Sequence, residues 1–245
     1  MRLLFEPGPP RREVVSDLLS GQRSDGGWGY PSSPLSSINE TLWRLTQAGE
    51  LGVDAAYPSI MAAIGFLASK QNPDGSWQED PRLAAASPPW ATPGRPEATV
   101  YLTASAGYSL AALAGTGLDR VRRASDYLLG MIGPDGRLPS FLHSHWLAAG
   151  LWWRTGRADL AEQVISYLAT RLDRDSPANH LSWAAVTLLT AGYPPDAPFS
   201  RRVLDMLEAR QAEDGHLDAE DGEAWFSHAT WEALKALKLA GRLLC

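Results

Sequence analysis

Five short stretches of this chain carry the side chains best suited to chemistry. Asn39-Glu40-Thr41-Leu42-Trp43 aligns with Glu97-Ala98-Thr99-Val100-Tyr101. The same pattern continues in His143-Ser144-His145-Trp146, His180-Leu181-Ser182-Trp183 and His228-Ala229-Thr230-Trp231. One register reads Asn39, Glu97, His143, His180, His228; two residues on it reads Thr41, Thr99, His145, Ser182, Thr230. The chain has 5 histidines, and all but His216 fall in this narrow band. Three chemistries fit such a band. Polar residues at helix starts cap free N–H groups. Histidine titrates near neutral pH, and a buried Glu97 would be tuned toward general acid–base work with it. His143, His180 and His228, with Glu97, are also a plausible ligand set for zinc or iron. The histidines come from separate segments, so the sequence leaves these three readings open.

The elements that position this band are marked by a second repeat. Gln22-Arg23-Ser24-Asp25-Gly26-Gly27-Trp28 recurs as Gln71-Asn72-Pro73-Asp74-Gly75-Ser76-Trp77 and as Gln211-Ala212-Glu213-Asp214-Gly215-His216-Leu217. A weaker copy, Ile132 to Leu138, keeps Asp135-Gly136. Leu18, Leu67, Leu128 and Leu207 stand four residues before the first position, which places Leu and Gln on one face of a helix that then stops. Asp-Gly supplies the turn, because glycine takes the positive φ a helix stop often needs.

Apolar spacing predicts helices over about 11–22, 39–48, 56–71, 97–114, 120–132, 141–155, 158–172, 179–191, 199–212 and 226–241. They form five hairpins with no period-two strand. The first helix of each pair carries charge on one face (Arg120, Arg122, Arg123, Asp126), whereas the second is nearly uncharged, as over Thr99–Ala114. A helix apolar all round is buried on every side. Strict alternation therefore predicts an all-α protein, an inner helix ring within an outer one, in a single domain over 1–245. The proline-rich loop at 78–95 is the longest irregular stretch and is expected to serve as a flap.

Composition narrows the partners. The 245 residues are 44% hydrophobic with 10 Trp, ample for a core. A net charge of −6 argues against nucleic acid, whose phosphates need clustered Lys and Arg. The single cysteine, Cys245, excludes an internal disulfide and a cysteine-based zinc cage. That scarcity of cysteine suits a cytoplasmic protein, and neither a signal peptide nor an apolar run long enough to span a membrane is recognisable.

The Gln-x-x-Asp-Gly-x-Trp copies, each at the end of a charged helix, resemble the QW repeats of squalene–hopene and oxidosqualene cyclases. Similar repeats occur in protein prenyltransferase β-subunits. The resemblance covers nearly the whole chain and implies an α/α toroid around a cavity for a linear isoprenoid. It also implies acid-initiated carbocation chemistry. The class II acid motif, Asp-x-Asp-Asp, finds its nearest match in Asp218-Ala219-Glu220-Asp221, where Glu220 replaces the proton-donating Asp. The residues alone also fit a solvated acidic loop there, from Glu213 to Glu223. The Asp-x-Cys zinc pair of prenyltransferases is missing, so no cofactor is expected unless the histidines hold a divalent metal.

Trp146, Trp183, Trp231, Tyr101 and Trp152 are candidate substrate-binding rings; each would stabilise a carbocation by roughly 0.5–2 kcal/mol. Trp146, Trp183 and Trp231 equally suit a core between the two rings. Relatives use two such domains or six hairpins. One domain of five leaves an end of the cavity open, to be covered by the 78–95 loop, a second copy or a partner domain. Three functions follow: a terpene-cyclase-like enzyme, a metal-assisted enzyme using the histidines, or a non-catalytic toroid that binds an isoprenoid or a protein.

Overall fold

The computed structural model describes residues 12–243. The Pro7, Pro9 and Pro10 lead, residue 11 of the first expected helix, and Cys245 lie outside the described residues. Ten α-helices occur among the described residues: α1 Arg12–Leu19, α2 Ile38–Glu50, α3 Pro58–Ser69, α4 Pro96–Leu113, α5 Asp119–Leu129, α6 Leu142–Arg154, α7 Ala158–Arg171, α8 Ala178–Thr190, α9 Pro198–Glu208 and α10 Phe226–Leu239. Short 3-10 turns cover Pro81–Leu83, Pro89–Ala91 and Glu223–Trp225. None of the described helices is long and apolar enough to cross a membrane.

The described residues fall into two compact units, divided between Ser144 and His145 near the start of α6. In the first unit, α4 packs against α5, α2 and the Pro89–Ala91 turn, and α2 also contacts α1 and α3. In the second, α8 and α10 form the largest helix pair, and α9 packs on both.

Burial follows the expected alternation in α4, α5, α7 and α8, whereas α3 carries no charge and α2 and α10 carry three charged residues each. Helix α4 buries an unbroken run from Val100 to Gly107, and α8 another from Ala184 to Leu189. Helices α5 and α7 bury one stripe each: Val121, Ala124, Ser125 and Leu128 in the first, Ala161, Val164, Ile165 and Leu168 in the second. Steps of three and four residues make that stripe one face of a helix.

All four Asp-Gly turns close in the same way. The Gly26, Gly75, Gly136 and Gly215 amides donate to the carbonyls of Arg23, Asn72, Gly133 and Ala212, three residues back, at 2.9–3.0 Å. In each turn the aspartate Oδ1 accepts the amide two residues further on: Gly27, Ser76, Arg137 and His216 donate at 3.0–3.2 Å. The helices stop before the glutamines, so Gln22, Gln71 and Gln211 lie in the turns rather than on the helix faces expected for them.

In the first two turns the glutamine ties its turn to the helix beyond the one that follows it. Gln22 Nε2 donates to Gly26 O at 2.8 Å and to Ser59 O, in the first turn of α3, at 2.7 Å. Gln71 Nε2 donates to Gly75 O and to Arg120 O of α5, both at 2.9 Å. Gly75 has φ +93°, and a Cβ there would stand 2.4 Å from the Arg123 carbonyl oxygen. Only glycine allows both the turn and this approach.

The 78–95 loop is not a free flap. Leu83 and Ala91 are fully buried, Asp80 Oδ1 accepts the Arg82 amide at 2.9 Å, and the second 3-10 turn lies on α4. Four prolines, Pro81, Pro88, Pro89 and Pro93, restrict the chain to a shape that its apolar residues then fasten down.

Candidate functional site

The true register of the polar band is written in one recurring hydrogen bond. The Trp28 amide donates to Thr41 Oγ1 at 3.0 Å, the Trp77 amide to Thr103 Oγ1 at 3.0 Å, and the Leu217 amide to Thr230 Oγ1 at 2.8 Å. Each turn is thereby bonded to the helix that follows it. Thr103, not Thr99, is the partner of Thr41 and Thr230. Counting back two residues, the position shared by Asn39 and His228 belongs in α4 to Tyr101, and Glu97 lies a full turn before it. The alignment that placed Glu97 in the band is therefore corrected. Its side chain is 36% exposed and meets Arg95 at 3.5 Å, and its carbonyl accepts from Ser140 Oγ at 2.6 Å.

In the first unit the structure gathers a buried polar group that the sequence did not mark. Glu79 lies two residues past the Trp77 turn and caps α2. Its carboxylate accepts from Ser37 Oγ at 2.6 Å, the Asn39 amide at 2.8 Å and the Ile38 amide at 3.1 Å. Burial pushes its pKa above the ordinary carboxylate value, against the pull of those donors. Burial, with a contribution from the Glu79 charge, raises Tyr30 to about 12. Burial also raises Tyr101, whose ring meets His143 edge-on at 4.6 Å. Phe141 stacks on the same imidazole at 5.4 Å. His143 is thus held between two aromatic rings.

In the second unit the structure brings the remaining candidates into two pairs. His180, in the first turn of α8, has Nε2 2.9 Å from Glu220 Oε1. The neighbouring Asn179 joins the same loop: the Glu220 amide donates to its Oδ1 at 3.5 Å, and its Nδ2 donates to Asp221 Oδ2 at 3.4 Å. Asp218 is exposed. The acidic loop is therefore fastened to the start of α8 through its Glu and its last Asp. The other pair is on α10, where His228 Nε2 lies 3.5 Å from Glu232 Oε1. Glu232 is buried and accepts from Ser182 Oγ at 3.0 Å. A buried carboxylate is tolerable only when so partnered. Glu232 was legible as an anomaly, the one acid within the uncharged run from Ala229 to Leu234. His180 and His228 each pair with a different carboxylate.

The aromatic candidates separate by burial. Trp146 and Trp152 are both 0% exposed, Trp152 with its indole N–H lacking a hydrogen-bond partner. Tyr101 is buried, whereas Trp183 and Trp231 keep part of their surface. Trp146 lies edge-on to Trp183 at 5.3 Å and 6.1 Å from the His180 ring. The Lys235 ammonium sits 5.0 Å over the Trp231 ring. Trp183, which is half-buried, is thus linked to the His180 ring through Trp146.

No family model matches this chain, and no curated protein does. Solved structures do. A protein from Actinoplanes superposes with a TM-score of 0.65 at 21% identity, over 94% of this chain and 83% of that one. A variant of the type II terpene cyclase MstE from Scytonema, in complex with its product merosterolic acid A, gives 0.61 at 16% identity, over 94% and 80%. The fold is terpenoid-cyclase-like. It is the all-α, α/α-toroid class expected from the alternating helices, and at such identities the likeness reaches the fold alone.

Proposed function

We propose that this chain handles a linear isoprenoid on its terpene-cyclase-like scaffold, with His180 and Glu220 as the acid pair that starts cyclisation. The observation that supports this is the 2.9 Å contact between His180 Nε2 and Glu220 Oε1 at the start of a buried, uncharged helix. With the imidazolium donating to Oε1, the proton of a neutral Glu220 carboxyl sits on Oε2. Transfer of that proton to an alkene carbon makes a C–H bond, leaves a carbocation on the substrate and a carboxylate on Glu220. The imidazolium stabilises the new carboxylate by a charge-assisted hydrogen bond. The cation ends by losing a proton from carbon to water or a base, so the conversion is an isomerisation. Trp183, three residues after His180 on α8 and edge-on to Trp146, would contribute cation–π stabilisation of roughly 0.5–2 kcal/mol.

Purified protein would be incubated with linear polyprenols and their diphosphates of 10–30 carbons (about two to six isoprene units), with products separated and identified. Cyclic products from the wild type, lost in Glu220→Gln and reduced in His180→Ala, are expected. Products unchanged by Glu220→Gln would overturn the assignment.

One observation favours a second reading. The Glu220 side chain is 49% exposed, whereas an acid strong enough to protonate an alkene works best away from water. A scaffold that binds an isoprenoid without turning it over would need no such shielding. Saturable binding of a fluorescent polyprenol analogue with no product from any substrate would favour this reading.

A further inference from the structure

We propose that His228 and Glu232 are ligands of a divalent metal ion of the zinc class. The proposal does not rest on the acid pair, which uses other residues and a different loop. Four residues apart on α10, the two side chains lie on one face one turn apart. This is the spacing with which paired ligands on a single helix hold zinc.

The separation of the two atoms suits a shared ion. Nε2 and Oε1 stand 3.5 Å apart, beyond the 2.7–3.2 Å of an ordinary N–H···O hydrogen bond. Zinc–nitrogen and zinc–oxygen bonds of about 2.0–2.2 Å at a tetrahedral angle put two ligand atoms about 3.4 Å apart. The observed spacing matches that of two atoms sharing an ion. The contrast with His180 and Glu220, at 2.9 Å, is direct.

The surroundings meet the further requirements of a metal site. The hydroxyl of Ser182, on the neighbouring α8, holds Glu232 Oε2 at 3.0 Å and leaves Oε1 on the His228 side. Such an outer hydrogen bond fixes the orientation of a ligating carboxylate. Glu232 is 7% exposed and His228 28%, so an ion would enter past the imidazole and meet a carboxylate in a low-dielectric setting, where its attraction is strongest. Trp225 lies edge-on to the His228 ring at 6.1 Å. An imidazole and a carboxylate suit zinc and its first-row neighbours better than calcium or magnesium. Positions that the protein leaves open on the ion would be filled by water.

The test is metal binding by the whole chain, stripped with a chelator and titrated with zinc chloride by calorimetry, then with cobalt chloride by visible absorption. One zinc per chain with micromolar or tighter affinity is expected, along with visible cobalt bands of a four- or five-coordinate site. His228→Ala and Glu232→Gln should each weaken binding at least tenfold, and Ser182→Ala by about 10–100-fold. Zinc that binds with undiminished affinity to His228→Ala, or no stoichiometric binding by the wild type, would overturn the proposal. If Glu232→Gln fails to fold, as its circular dichroism would reveal, His228→Ala decides alone, since its ring lies partly at the surface.

Discussion

Replacing Gln71 by alanine should cost far more than the same change at Gln211, although the two occupy the same place in the repeat. Gln71 makes three bonds: its Nε2 donates to Gly75 O and Arg120 O at 2.9 Å, and its Oε1 accepts from Arg123 at 2.8 Å. Two of these reach α5, so the side chain fastens a turn to a neighbouring helix. Gln211 makes one bond among the described residues, to Gly215 O at 3.1 Å, and is exposed. At about 0.5–1.5 kcal/mol net per bond, discounted because the groups are partly wet, Gln71→Ala should cost about 2 kcal/mol. Gln211→Ala should cost under about 0.5 kcal/mol. For a chain of this size about 2 kcal/mol corresponds to a fall of about 4–8 °C in Tm. Urea unfolding followed by far-ultraviolet circular dichroism, with a thermal scan, reads both. Equal losses at the two sites would refute the claim that Gln71 acts by tying its turn to α5.

Two further perturbations test the corrected register and the buried acid. Thr103→Val strips the Trp77 amide of its buried partner and should cost about 1–3 kcal/mol, whereas Thr99→Val should stay within about 0.5 kcal/mol; denaturant titration of both variants checks this, and the reverse order would restore the original alignment. Glu79 has a folded-state pKa above its unfolded value, so its contribution to stability is complete below pH 4.5 and is lost as pH rises through the folded pKa. Wild-type stability relative to Glu79→Gln should therefore decline as pH is raised above 4.5 through the folded pKa, and a difference that is flat or grows with pH would contradict the burial argument.

The turns were legible in the sequence because their geometry is local. Asp25, Asp74, Asp135 and Asp214 each accept the amide two residues on, and the glycine before that amide takes positive φ, so residue type alone specifies the structure. Helix alternation was legible for a related reason: charge on one face or none reports burial directly. The register of α4 was not. This helix runs for 18 residues where α2 has 13, and it carries threonines one turn apart at 99 and 103. Periodicity cannot choose between two positions on the same face, and the choice is made by a bond from the distant Trp77 amide. Glu79 was hidden similarly, since its partners Ser37, Ile38 and Asn39 are about 40 residues away. The pairing of His180 with Glu220 spans another 40 residues, although each side chain stood out by its type.

The central claim is that Glu220, paired with His180, delivers a proton to an isoprenoid. Incubation of the wild type with a linear polyprenyl substrate in deuterium oxide, with mass analysis of the cyclic product, tests it most directly. The account predicts one carbon-bound deuterium per initiating event in the product, and no such product from Glu220→Gln. A cyclic product that carries no deuterium, or that forms equally well in Glu220→Gln, would contradict it.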